Sequence, residues 1–260
     1  MDVHVINLDR NRDRLSIFTA TNRHLKNILR IRALDGEALS RRQLRAEGIL
    51  KTRMPAYSEG ALGCALSHIS LWQRAAAQSG AFTIAEDDAI FNIHFEAEAR
   101  AALQSLPPNW DILLWGWNFD SILLFDLLPG VSPCLGTFSE RRMRKRAAIF
   151  QKLDAKPRAY RLLEAYGNLA YTVSPQGAKK LLRHCLPIRR MKVYCRGLNR
   201  SLTNFGIDVM MNALYPKINA FVSFPPLAVS KNDKTISTVN QQEKPRVAWR
   251  AENRSPRRIG

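Results

Sequence analysis

The chain opens on Val3-His4-Val5-Ile6-Asn7-Leu8, a short apolar run, and turns abruptly polar from Asp9 to Arg14. That pattern predicts a strand followed by a loop and a helix start. A helix through Arg23 would lead to a second strand over 28–34, closed by the turn pair Asp35-Gly36. This is the βαβ rhythm of an α/β protein. Ser58 stands as N-cap of a helix whose apolar face is Leu62, Ala65, Leu66, Ile69, Trp72 and Ala76, with Gly80 as its stop. Phe82-Thr83-Ile84-Ala85 reads as a short strand, and Glu86-Asp87-Asp88 follows at its carboxyl end. A helix fits 95–106 ahead of Pro107-Pro108, strands fit 110–115 and 169–173, and Pro175 opens a helix through Leu182.

The alternation breaks between 139 and 161. Arg141, Arg142, Arg144, Lys145 and Arg146 stand nearly together there, with Met143, Ile149, Phe150 and Leu153 nearby. Such a stretch could form an amphipathic basic helix or a mobile loop. From Lys244 onward Pro, Arg and polar residues follow one another without periodicity, which predicts a tail.

The length of 260 residues suits one large α/β domain or two small ones, with one as the default. An apolar fraction of 46% excludes a mainly disordered chain. The formal charge of +18 is unevenly spread: residues 1–130 hold 14 Lys/Arg against 15 Asp/Glu, and residues 131–260 hold 26 against 7. A field so lopsided attracts a polyanion, whether nucleic acid, anionic lipid or phosphorylated glycan. Cys64, Cys134, Cys185 and Cys195 show no CxxC pair and no spacing to histidine that suggests zinc, so they read as buried thiols. The N-terminus lacks a basic start with an apolar core, so a reducing cytoplasm is the expected compartment. The most apolar stretch, 112–128, is interrupted by Gly116, Asn118, Asp120 and Asp126, which argues against a membrane span and leaves only peripheral contact.

The acidic triplet is the strongest chemical feature. At the carboxyl end of a strand in an open α/β sheet it would face the ligand crevice. Three adjacent carboxylates repel one another, and a hard divalent cation would relieve them. An isolated triplet is more often a solvated acidic turn, so context decides.

Val5-Ile6-Asn7-Leu8-Asp9-Arg10 with Arg14, then Gly63-Cys64-Ala65-Leu66-Ser67-His68 leading into Ile84-Ala85-Glu86-Asp87-Asp88, resembles the ordered signature of glycosyltransferase family 25. Trp110-Asp111-Ile112-Leu113, the run from Ala170 through Pro175-Gln176-Gly177 to Leu182, and Ile207-Asp208 resemble later blocks of that family, in order, over roughly residues 1–240. The family includes enzymes of lipopolysaccharide and lipooligosaccharide core assembly, many of them galactosyltransferases, and collagen-modifying relatives. The resemblance implies a GT-A-like nucleotide-sugar-binding fold in a single domain over 1–240, with a basic insertion at about 138–161 and a basic tail over 241–260. It also implies a UDP-sugar donor, an inverting mechanism and a divalent metal, manganese ahead of magnesium.

Carried onto this sequence, Asp88 and Asp87 become metal and ribose-diphosphate contacts, with Glu86 in support. Asn7, Arg10 and Arg14 follow the first strand, where base and phosphates dock and where arginine's planar fork can grip phosphate. Ser67 and His68 join the donor side, although His68 reads equally as a packing histidine. Inverting transfer needs a base for the acceptor hydroxyl. Asp208 takes that role and Glu164 is its rival. Two departures stand out: Asn168 occupies a place where the family often has Gly-Thr before Ala-Tyr, and no histidine follows His184. A late metal ligand would then be Asp233, water or nothing.

The expected partners are a nucleotide sugar and an acidic glycan or glycolipid acceptor, with an anionic membrane surface as an open third. That would place the chain in the cytoplasm, peripheral to the inner face of the membrane. A nucleic-acid-binding protein would account for the charge, but not for the acidic strand end, and no zinc-finger spacing, RRM motif or basic heptad is present. A transferase fold retained as an interaction module is the other alternative.

Overall fold

The structure, a computed structural model, describes residues 1–52 and 57–230. The expected tail over 241–260 and Asp233 lie outside the described residues.

The first half follows the predicted rhythm. β1 (Asp2–Asn7) and β2 (Asn27–Arg32) pair in parallel across helix α1 (Arg12–Thr21), with Ile6 opposite Ile31. A short helix α2 (Arg41–Ala46) starts at Ser40, whose hydroxyl accepts from the Gln43 N–H. Helix α3 (Glu59–Ala76) starts at Ser58, which accepts from the Ala61 N–H, and ends four residues before Gly80. β3 (Phe82–Glu86), β4 (Ala89–Phe91), α4 (Phe95–Gln104) and β5 (Ile112–Gly116) follow.

The second half holds more strands than the sequence pattern predicts. The apolar run over 112–128 is two strands, because the chain leaves the sheet after Gly116 and re-enters it as β6 (Ile122–Leu128), which forms a hairpin with β7 (Ser132–Thr137) around Pro129-Gly130. Gly130 has φ 74°, a left-handed conformation that glycine adopts without strain. The basic stretch is helical: α5 (Glu140–Lys145) and α6 (Ala147–Gln151) turn Met143 and Phe150 inward. The expected insertion ends earlier than 161, since β8 (Arg158–Ala165) already belongs to the central sheet. β9 (Ala170–Val173), α7 (Pro175–Cys185), β10 (Lys192–Cys195), β11 (Arg200–Thr203), α8 (Ile207–Asn212), β12 (Ala220–Phe224) and β13 (Ala228–Ser230) complete the described chain.

Nine strands form one sheet in the order β2-β1-β3-β9-β5-β12-β8-β6-β7. β1, β2, β3, β5, β6 and β12 run one way, whereas β9, β8 and β7 run against them. The central strands are apolar throughout because both faces are covered. Alternation divides their side chains: Ile84, Ile112 and Leu114 join Leu62, Trp72, Tyr171 and Met210 on the α3/α7/α8 face. Ala85, Leu113 and Trp115 join Phe18, Phe91 and Phe95 on the α1/α4 face. This is a single α/β domain of the kind the sequence predicts.

Helix α3 sits close against the turn after β2, and glycine makes that approach possible. A Cβ at Gly63 would lie 2.5 Å from the Leu34 carbonyl oxygen and 2.7 Å from the Gly36 nitrogen, both of them backbone atoms that cannot rotate away. Gly63→Ala should therefore cost about 1–3 kcal/mol, a fall of several degrees in Tm measured by thermal denaturation. An unchanged Tm would show that the contact yields freely.

Candidate active site

The carboxyl ends of β1 and β3 open on the same edge of the sheet, so Asn7 and Glu86 reach one crevice. Glu86 ends β3, and Asp87-Asp88 turn the chain into β4, so the three carboxylates diverge. Asp87 is drawn toward α1. Its Oδ2 accepts from Asn7 Nδ2 at 2.7 Å, its Oδ1 pairs with Arg14, and its side chain is only 9% exposed. Burial pushes this carboxyl up, while Arg14 and the Asn7 bond pull it back. Arg30 supports Asn7 from behind, donating to Asn7 Oδ1 at 3.2 Å. Asp87, expected as a metal and ribose-diphosphate contact, is held here by the Arg14 guanidinium and Asn7, and these contacts join β1, α1 and β3.

Glu86 and Asp88 flank Asp87 at the turn from β3 into β4. Glu86, expected only in support, is 34% exposed and brings Oε1 to 3.5 Å from His68 Nε2 and 4.0 Å from Cys64 Sγ. Asp88 accepts from the Ser230 hydroxyl through Oδ2 at 2.6 Å, and its Oδ1 is buried with no hydrogen-bond partner among the described residues. Burial, reinforced by the Glu86 charge, pushes the Asp88 carboxyl up to about 6. Asp208 approaches from α8. Its Oδ2 accepts from the Gly167 N–H and its Oδ1 from the Val209 N–H, both at 2.9 Å. Burial raises its carboxyl too, and the Glu86 charge adds to the shift. The Cys64 thiol is raised well above its ordinary value by desolvation and then by Glu86, Asp208 and Asp88. Residues 64, 86, 88 and 208 thus share one electrostatic neighbourhood. A divalent cation would satisfy the orphaned Asp88 oxygen and screen the crowded carboxylates, so the residues present fit the metal that the sequence resemblance implies.

Several expected residues have other duties. The Ser67 hydroxyl is buried, donates to the Gly63 carbonyl at 2.7 Å and accepts from the Leu34 N–H at 2.8 Å, so it ties α3 to the segment after β2. Glu164, the rival base, is buried in β8 with Oε2 accepting from the Gly197 N–H at 3.0 Å and Oε1 from the Arg196 N–H. Both of its oxygens anchor the turn between β10 and β11. Arg10 pairs with Asp35 and Glu37 rather than with the triplet. His68 is fully buried, but it reaches Glu86 on one side and the Tyr171 hydroxyl, at 2.9 Å, on the other.

Sequence reading missed Cys64, Tyr171 and Ser230. Cys64 and His68 stand four residues apart on α3, one helical turn, and that spacing was the available signal. Ser230 carried none. The basic helix α5 lies beside β13, whose Ser230 holds Asp88, so cations border the acidic crevice.

The sequence is similar to those of known proteins. The sequence model of glycosyltransferase family 25 (LPS biosynthesis protein) matches residues 1–195. Procollagen galactosyltransferase 1 of Danio rerio is 28% identical over 207 residues, covering 73% of this chain and 29% of that protein. Procollagen galactosyltransferase 2 of Homo sapiens is 27% identical over 194 residues, 70% of this chain and 27% of its own length. The chain therefore spans less than a third of the length of these relatives.

Proposed function

The chain belongs to glycosyltransferase family 25, and from that premise we propose that it transfers a hexose, with galactose favoured, from a UDP-sugar to a hydroxyl of an acidic cell-surface glycan, inverting the anomeric carbon. The observation that carries this reading is the convergence of Glu86, Asp88 and Asp208 in one crevice with an unpartnered buried carboxylate oxygen on Asp88. The similarity to two galactosyltransferases favours galactose.

Asp88 and Glu86 would hold a divalent cation, manganese ahead of magnesium, and that cation would neutralise the departing diphosphate. The remaining work falls to the chain. Arg14 and Asn7 keep Asp87 and the β1 end in place, shaping the donor side. Asp208 spends one lone pair of each oxygen on a backbone N–H and keeps others for an incoming hydroxyl. As base it takes the acceptor proton while the acceptor oxygen bonds to the anomeric carbon and the bond from that carbon to the diphosphate breaks. UDP leaves, and Asp208 releases its proton to solvent. A raised carboxyl suits this step, because a stronger base accepts the proton more readily. A donor screen with manganese across UDP-galactose, UDP-glucose and UDP-N-acetylhexosamines, read as nucleotide release, tests the proposal. No release from any UDP-sugar with a phosphorylated glycan acceptor present would overturn it.

Metal binding should depend on pH in a defined direction. Asp88 titrates near 6 in the fold, above its ordinary value, so the native ion-free state holds a proton there that the unfolded chain releases. This group's contribution to stability is therefore present at low pH and lost as pH rises through about 6. Manganese competes with that proton. At 100-fold over Kd the ion should add about 2.7 kcal/mol, roughly 5–10 °C in Tm, at pH 7.5, and clearly less at pH 5. An equal shift at both values would remove Asp88 from the site.

The acceptor side is read from α5. Arg144 pairs with Glu140, whereas Arg141, Arg142, Lys145 and Arg146 are exposed at the border of the crevice. Among the described residues no helix is long and apolar enough to cross a membrane, and a peripheral place on the inner face of the cytoplasmic membrane is part of this proposal. Each exposed cation contributes on the order of 1 kcal/mol near an anionic surface. Replacing these four with glutamine should reduce partitioning onto phosphatidylserine vesicles more than tenfold at low salt and spare slow hydrolysis of free donor. Unchanged partitioning would remove α5 as the anchor. The tail arginines Arg250, Arg254, Arg257 and Arg258, outside the described residues, would then be next to test.

A further inference from the structure

We propose that Cys64, His68 and Glu86 form a second cation site in the crevice wall, suited to a borderline divalent ion of the zinc class and sharing Glu86, as a bridging carboxylate, with the cation placed at Asp88. Cys64 and His68 project from successive turns of α3, and Glu86 ends the adjacent strand β3. One ligand atom from each lies within 4.8 Å of the others, with Glu86 Oε1 at 3.5 Å from His68 Nε2 and 4.0 Å from Cys64 Sγ. A tetrahedral ion with bonds of about 2.0–2.3 Å holds its ligand atoms roughly 3.3–3.8 Å apart. The widest pair needs to close by up to about 1.3 Å to hold such an ion.

The donor set decides the ion class. Magnesium takes oxygen ligands, whereas a thiolate with an imidazole selects zinc or cobalt. The imidazole is also held from behind, since Nδ1 lies 2.9 Å from the Tyr171 hydroxyl, which itself accepts from Trp72 Nε1 at 2.8 Å. That bond leaves Nε2 facing Glu86, the arrangement by which a ligating histidine is oriented. As the metal–sulfur bond forms, the Cys64 thiol proton passes to solvent. The ion's charge then offsets Glu86, Asp88 and Asp208 together, and its bonds pin α3 to β3. Three protein ligands leave one position open.

Titration of the metal-stripped full chain with cobalt(II) tests the site. One equivalent should produce a thiolate-to-cobalt charge-transfer band with tetrahedral visible bands, and zinc should displace both. Cys64→Ser should abolish the charge-transfer band, His68→Gln should weaken binding at least about 10-fold, and Asp88→Asn should retain the spectrum. Absence of cobalt uptake, a spectrum without thiolate character, a band unchanged in Cys64→Ser, or its loss in Asp88→Asn would each overturn the proposal. Should Cys64→Ser fail to fold, alkylation mapped by mass spectrometry on the wild-type chain decides: zinc must protect Cys64, and equal labelling with and without zinc counts against the site. None of these readouts depends on sugar transfer, so failure of the transferase reading would leave the result standing.

Discussion

Asp88→Asn is expected to lower sugar transfer by at least about 10²–10³-fold while shifting Tm by no more than a few degrees. Asparagine keeps the shape of the side chain and an oxygen to accept from the Ser230 hydroxyl, which the wild-type carboxylate does at 2.6 Å. What it loses is charge at the second oxygen, the buried Oδ1 that has no hydrogen-bond partner. The loss should fall on kcat and on manganese dependence together, because the charge is needed where the diphosphate departs. Removing a charge whose ionisation burial already opposes should leave the ion-free fold no weaker. Steady-state kinetics across a manganese series, paired with circular dichroism, measures both halves. Near wild-type turnover at limiting manganese would sink the assignment of Asp88.

Asp208→Asn is the second large effect. A base acts in the transition state, so turnover should fall by about 10²–10⁴-fold while the KM for the UDP-sugar stays within a few-fold of wild type. The carboxylate also accepts the Gly167 and Val209 N–H groups, and the amide nitrogen of asparagine cannot accept either. A modest fall in Tm should accompany the variant, and comparison with Asp208→Glu separates the two roles, since glutamate keeps the charge and displaces it. The wild-type rate should decline on acidification through a carboxyl raised above the ordinary aspartate range. Parallel losses of turnover and donor affinity would make Asp208 a donor contact instead.

The fold was legible where its signals are local. Ser58 caps α3 because its hydroxyl needs only the Ala61 N–H three residues on, and Pro175 starts α7 because its ring presets the first helical turn. The break between β5 and β6 was hidden inside one apolar run, since both strands are buried where they meet the core and lack alternation, and the hairpin of β6 with β7 went unread with it. Its Pro129-Gly130 turn was the overlooked local mark.

By itself, the sequence determined that an acidic triplet would stand at a strand's carboxyl end and that cations would crowd the second half of the chain. Only the tertiary structure decided what each carboxylate touches. Arg14, 73 residues from Asp87, neutralises it, whereas Ser230, 142 residues from Asp88, satisfies one oxygen and leaves the other orphaned. Glu164 is consumed by the Arg196 and Gly197 amides, and Cys64 becomes a site residue because α3 is held beside β3. The reason is physical: a carboxylate's reactivity depends on its burial and on the charges and donors around it, and here those neighbours come from distant parts of the chain.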